Sequence, residues 1–263
     1  NNFNPDATLT REQAAKIITY MLVGQTQADK LTTTVAPYAD VAATRWSAGS
    51  IAYCTNEGII AGDGNGRFNP AASVTGLQFG KMLLVALGYD AEIEKLVGNS
   101  WAINTAKLAA SAGLDKGLDI SLSAALTREQ AAQMAFNAMK ATLVEYEDKG
   151  GDIIIGDITI NNGATKATPV TSKVKADATS ISDEKTADGY YTVEFAEKYC
   201  KDLKEKGIQP FMLPWAETYL NLFNNVGNYW LLDKPDGGKE TLAKLMNGED
   251  VDLANDPEMT ELL

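Results

Sequence analysis

Apolar residues recur at helical spacing behind three related pentapeptides, Leu9-Thr10-Arg11-Glu12-Gln13, Val74-Thr75-Gly76-Leu77-Gln78 and Leu126-Thr127-Arg128-Glu129-Gln130. After the first, Ala14, Ile17, Ile18, Met21 and Leu22 share one face. Phe79, Met82, Leu83, Ala86 and Leu87 do so after the second, and Ala131, Met134, Ala135, Ala138 and Met139 after the third. In every copy a threonine stands three residues before a glutamine. The hydroxyl can then accept from the third helical N–H while the carboxamide reaches back to the cap, a capping box. The pattern predicts three capped helices starting near Thr10, Thr75 and Thr127, with their stripes turned into one shared bundle.

The copies stand 65 and 52 residues apart, the length of supersecondary units that must stack to bury their apolar faces. Trp46 precedes Gly58 and Gly62 by 12 and 16 residues, and Trp101 precedes Gly113 and Gly117 by the same intervals. Each unit therefore reads as opening helix, glycine turn, loop and capped helix. The loop of the second unit, Gly62-Asp63-Gly64-Asn65-Gly66-Arg67-Phe68-Asn69-Pro70, is dense in turn formers. The first unit starts only at Phe3-Asn4-Pro5, the counterpart of Phe68-Asn69-Pro70. Its opening helix is missing, and natural sequence is expected upstream.

After Tyr146 the period changes. Ile153-Ile154-Ile155 and Ile158-Thr159-Ile160, with turn signals at Gly156-Asp157 and Asn162-Gly163, predict a small hairpin. A polar linker rich in Thr, Ser, Lys and Asp is expected near Thr171 to Asp188. Helical patterning returns from Tyr191, with Phe195, Tyr199, Leu203, Leu220, Leu222 and Phe223 at apolar positions and Trp215 and Trp230 in the same region. The expected boundaries are 1–146 for the repeats (1–30, 31–92 and 93–146), 147–188 for hairpin and linker, and 189–263 for the helical C-terminal region.

Composition narrows the chemistry. With 263 residues the chain can form more than one domain. Its 35 acidic and 23 basic residues give a net charge of −12, which repels nucleic-acid phosphates and anionic membranes. Neither nucleic acid nor membrane insertion is expected, and an anionic ligand needs a local cluster of cations. No apolar run approaches a membrane span and no signal-peptide pattern is present, so a mature or excised segment is expected. The absence of histidine removes Ser-His and Cys-His pairs and the commonest metal ligand. No catalytic residue, cofactor or metal site is expected. Glu145 with Glu147 and Asp148 with Asp152 read as solvated connectors. Asp63-Gly64-Asn65-Gly66 lacks the later carboxylates of a calcium loop and reads as a turn. Cys54 and Cys200 read as buried thiols.

Residues 1–146 resemble the S-layer homology (SLH) family. The residues that carry the likeness are Tyr38-Ala39-Asp40-Val41, Trp46, Gly58-Ile59-Ile60-Ala61-Gly62-Asp63-Gly64, Phe68-Asn69-Pro70 and the Thr-Arg-x-x helix starts, in family order and spacing. The resemblance implies a mainly α, pseudo-threefold SLH helical module with a central three-helix bundle, followed here by the hairpin and the helical region. It further implies an extracellular, noncatalytic protein at the bacterial cell wall or S-layer. Its partner is then a secondary cell-wall polysaccharide carrying acidic, pyruvylated sugars, with other S-layer subunits as possible neighbours.

Arg11 and Arg128 sit in a first helical turn, where the macrodipole disfavours a cation. Free N–H groups beside a guanidinium fork suit a carboxylate; pairing of Arg11 with Glu12 or another acidic neighbour on the surface is the structural alternative. Trp46 and Trp101 can stack on sugar rings or plug the bundle. By the resemblance the glycan-binding residues are Arg11, Asp40, Trp46, Arg128 and Trp101, with Arg11 facing Asp40 and Trp46 in the complete groove. Gly76 replaces arginine in the second capped helix and Val97-Gly98-Asn99-Ser100-Trp101 lacks the aspartate, so the second groove is expected to be weak. Arg128 lacks the opening half of the first unit. A second likeness, running from Thr192-Val193-Glu194-Phe195 through Trp215 to Asp256-Pro257-Glu258, is to bacterial extracellular sugar-binding (solute-binding) proteins. It leaves two alternatives: a carbohydrate-capture protein tethered by the repeats, or a purely structural S-layer subunit.

Overall fold

The computed structural model describes residues 4–155, 158–172 and 189–200, with backbone only for 152–162. The chain divides into two compact units, 1–207 and 208–263. The second lies outside the described residues, and so do Trp215, Trp230 and nearly all of the solute-binding-like segment.

Five helices carry the repeats: α1 (Arg11–Ala28), interrupted at Gly24, α2 (Ala48–Asn56), α3 (Gly76–Ala86), α4 (Trp101–Ser111) and α5 (Arg128–Met139). All three predicted capping boxes form. The Gln13, Gln78 and Gln130 amides donate to the threonine hydroxyls at 3.3, 3.2 and 3.2 Å, and the threonine amides donate to the glutamine carboxamides at 3.0, 3.0 and 2.9 Å. The apolar stripes of α1, α3 and α5 belong to one core. Ala14, Ile18, Phe79, Leu83, Ala131 and Met134 are fully buried in it, with Ile17, Leu22, Ala135 and Met139 packed at its margin. Burial of this kind, at about 25 cal/mol per Å² of apolar surface, is what makes short helices stable in the fold.

The residues just before the caps lock the units together. Leu9 N donates to Leu126 O, Leu126 N to Val74 O, and Val74 N to Leu9 O, each at 2.9 Å, closing a ring of backbone bonds. The next amides follow the same cyclic rule. Arg11, Gly76 and Arg128 donate to Ala72, Ala124 and Ala7, and Glu12, Leu77 and Glu129 donate to Pro70, Leu122 and Pro5. Each loop thus supplies carbonyls to the helix start of a neighbouring unit.

The opening helices lie beside the capped ones, α2 against α1 and α4 against α3. Gly49 lets α2 lie close to the segment after α1, since a Cβ there would run into the Leu31 carbonyl. Cys54 is fully buried on the same interface, 3.4 Å from the Thr19 hydroxyl, and burial pushes its thiol up to about 11. Cys200 is only half-buried, so the expectation of two buried thiols holds for Cys54 alone, and the two do not form a disulfide. At the head of the interface Arg45 donates to Glu12 from Nε at 2.8 Å and from the fork at 2.9 Å, and Ser47 donates at 2.6 Å. The Arg45 bonds are the main reason the Glu12 carboxyl is held below its ordinary value; burial opposes them and Ser47 assists. A depressed carboxyl stabilises the fold above its unfolded value near pH 4.3 and loses that contribution as pH falls through the folded value. Glu12→Gln should therefore be less stable than the parent at pH 7 and should lose less on acidification from pH 5 to 3. Urea midpoints measured across that range check it, and parallel curves would refute it.

Among the described residues six short strands follow: β1 (Val144–Glu145), β2 (Gly151–Ile155), β3 (Ile158–Asn162), β4 (Thr168–Pro169), β5 (Thr171–Ser172) and β6 (Tyr191–Thr192). β2 and β3 form the expected antiparallel hairpin, with Ile155 opposite Ile158 and Gly151 opposite Asn162. β1 pairs with β4 and β5 with β6. Between those pairs a second ring closes: Leu143 N donates to Val193 O, Val193 N to Val170 O and Val170 N to Leu143 O. It leads into α6 (Phe195–Tyr199), which the carboxylate of Glu197 caps by accepting from Glu194 N at 2.7 Å. Phe195 is fully buried in the same core as the repeats, and Val144 N donates to Leu87 O at the end of α3. From the expected hairpin and linker stretch Val170 packs against this core, and from the expected C-terminal region Phe195 is buried in it. Among the described residues no helix is long and apolar enough to cross a membrane.

Candidate functional site

Arg11 opens α1 and lies against the loop of the second unit. Its Nε donates to Phe68 O at 2.8 Å and its Nη2 to Ala61 O at 3.0 Å, and the guanidinium sits 4.5 Å from the centre of the Phe68 ring. Burial pushes the guanidinium below its ordinary value, while Tyr38, Asp40 and Asp63 pull it back. It does not pair with Glu12, which Arg45 holds. These two bonds use two of the five guanidinium donors.

The idea of free helix-start amides beside the arginine is overturned. Arg11 N, Glu12 N and Gln13 N donate to Ala72 O, Pro70 O and the Thr10 hydroxyl, and the first turns of α3 and α5 are satisfied in the same way. The carbonyls of the neighbouring loop reach these amides first. An anion can meet side-chain cations here, not the backbone of the helix end.

Arg11 lines a groove of about 350 Å³ with Gln78, Lys81 and Met82 of α3, the Ile59–Gly62 segment and Leu96–Gly98, closed by Trp101. Gln78 uses its carboxamide oxygen in the capping box. Lys81 is pushed below its ordinary value by burial, with Glu92 opposing. The groove joins two cations, a carboxamide and an indole in a strongly acidic chain. An anion bearing a flat, weakly polar face would meet complementary groups there.

Of the residues expected in this site, Arg11 and Trp101 line the groove; Asp40 and Trp46 do not, although Asp40 lies close enough to act on the Arg11 guanidinium. Asp40 accepts from Phe68 N and Asn69 N, each at 2.8 Å, and lies 3.9 Å from Arg67. Burial pushes its carboxyl up, but the two amides outweigh that and hold it below its ordinary range. It orders the loop on which Arg11 rests. Trp46 is 58 % exposed and does not line this groove. Arg128, at the head of α5, donates its amide to Ala7 O and is absent from the lining. The register is the physical reason: α1 docks on the loop of the second unit, and the far wall of that loop's groove is α3 with the start of α4. Asp63 accepts from Asn65 N and Arg67 N at 2.8 and 3.2 Å, its carboxylate turned onto its own loop.

Gly76 is buried, and a Cβ there would come within 2.9 Å of Leu122. Leu122 fills the room that an arginine side chain would need. Lys81 and Gln78 were not among the expected site residues. A signal existed in the repeat, because Lys16 and Lys81 each stand six residues after a cap threonine.

Residues 37–79 match the S-layer homology domain. The chain is 26 % identical over 185 residues to a cell surface protein of Thermoanaerobacter kivui, covering 70 % of this chain and 23 % of that protein. It is 28 % identical over 152 residues to a surface layer protein of Brevibacillus choshinensis, covering 58 % and 13 %. A middle cell wall protein of Brevibacillus brevis is 28 % identical over 151 residues, covering 57 % and 14 %. The chain spans less than a quarter of the length of these relatives. It carries an S-layer homology domain, and its location is extracellular, at the cell wall or S-layer. The likeness to solute-binding proteins finds no support in these matches.

Proposed function

We propose that the chain is a noncatalytic wall anchor that binds an acidic, pyruvylated secondary cell-wall polysaccharide, with the Arg11–Lys81–Trp101 groove as its main site. The observation that carries this reading is the convergence of Arg11 and Lys81 on one indole in a chain of net charge −12. The unused guanidinium donors and the Lys81 ammonium receive the sugar carboxylate, Trp101 lies against the ring, and the free amide end of Gln78 donates to a hydroxyl. Asp40 serves indirectly, by ordering the loop under Arg11. Arg128 and Trp46 do not line this groove and stand outside the main site.

The cyclic backbone bonds among Leu9, Val74 and Leu126 support a pseudo-threefold module spanning 1–146, with 147–188 and 189–263 as the segments appended to it. Purely structural packing between S-layer subunits is the second reading; it draws on the relative named as a surface layer protein. A pull-down on purified cell walls, before and after chemical removal of the secondary polymer, separates the two. Binding lost with the polymer is the expected result. Undiminished binding to stripped walls would refute glycan anchoring.

A further inference from the structure

Three grooves follow one another along α4. The Arg11 groove ends at Leu96, Gly98 and Trp101. The next, also about 350 Å³, begins at Lys95 and Asn104, one residue along the loop and one helical turn along α4, and continues past Lys107 to Ser111. Asn104 Nδ2 donates to Lys95 O at 3.1 Å, tying that loop to the helix. This second groove shares Glu94, Leu108 and Ser111 with a larger cavity of about 780 Å³, walled by the end of α4, the segment after α5 and the approach to β4. From Trp101 to Ala112 the helix alone spans about 16 Å, more than a disaccharide occupies.

The charge along this path is reversed relative to the chain. Its linings hold six cations, Arg11, Lys81, Lys95, Lys107, Lys140 and Lys166, and a single carboxylate, Glu94. The whole sequence has 35 acidic residues to 23 basic. Glu94 accepts from the Tyr146 hydroxyl at 2.7 Å. At the far end Thr192, itself only 6 % exposed, forms part of the wall of the large cavity.

We propose that the path is one extended site for a single anionic polysaccharide chain, entering at Arg11 and Trp101, passing Lys107 and ending in the cavity at Lys166 and Thr192. The proposal rests on the reading of the Arg11 groove as a glycan site. Isolated surface lysines contribute little, but successive subsites on one polymer act at high effective concentration, so affinity grows with ligand length.

The test uses the full chain and acidic wall polysaccharide cut to disaccharide and octasaccharide size, titrated by calorimetry. The octasaccharide should bind about tenfold tighter or more. In the Lys107→Glu, Lys166→Glu double variant, at two exposed positions, the octasaccharide should fall to the affinity of the disaccharide, and disaccharide binding should not change. Equal affinity for both lengths, or a length effect untouched by the double variant, overturns the track while leaving the Arg11 groove standing. No binding of the disaccharide by the parent chain overturns the groove and the track together.

Discussion

Leu83→Ala should lower the unfolding free energy by about 2 to 5 kcal/mol, the range seen when a fully buried leucine is truncated and the cavity only partly collapses. Leu83 is fully buried on α3, in the core that also takes Ile18 of α1 and Met134 of α5. The backbone rings at the two ends of the capped helices limit how far these helices can move inward to fill the void. Met82 is a poorer probe, since it also lines the Arg11 groove. Ile103, 63 % exposed on α4, supplies the control, and Ile103→Ala should change stability by no more than about 0.5 kcal/mol. Urea denaturation of the three proteins measures both differences. A Leu83→Ala cost close to that of Ile103→Ala would mean that the three stripes do not form a common core.

The capped helices were legible because each rests on local chemistry: a threonine, a glutamine three residues on, and apolar positions at helical spacing. The hairpin at Ile153–Ile160 was legible for the same reason, through its alternation and turn residues. What escaped was set by contacts distant in sequence. That Glu12 N reaches Pro70 O, and Glu129 N reaches Pro5 O, cannot be read from either segment alone, yet these bonds decide which loop lies under which arginine. Arg11 does rest on the second unit, as expected, through Phe68 and Ala61; that its groove also takes in Trp101 of the third unit depends on how α3 and α4 pack beside that loop. The second ring escaped too, although Val193-Glu194 followed by Glu197 repeats the Leu9-Thr10…Gln13 pattern with carboxylates in place of hydroxyl and amide. Two acidic residues did not read as a capping box, because only burial at 3 and 4 % exposed reveals that they face inward.

Arg11→Ala should weaken binding of a pyruvylated disaccharide by about tenfold or more, the loss of roughly 1.5 to 3 kcal/mol expected for a charge-assisted bidentate contact. The same change removes the bonds to Phe68 O and Ala61 O, so reduced affinity alone does not distinguish lost contact from a loosened loop. Arg11→Lys keeps the charge and discards the planar fork; its affinity should fall between those of the parent and Arg11→Ala. The tryptophans give the sharper discrimination. Trp101→Ala removes a wall of the groove, whereas Trp46→Ala changes an exposed side chain outside it. Calorimetry with the disaccharide, on variants first shown by melting to be folded, should find Trp101→Ala impaired by about the same factor as Arg11→Ala, since a stacked ring contributes on the order of 1 kcal/mol or more. Trp46→Ala should bind like the parent. The opposite ranking would return Arg11 to the partnership with Asp40 and Trp46 and reject the groove formed with Lys81 and Trp101.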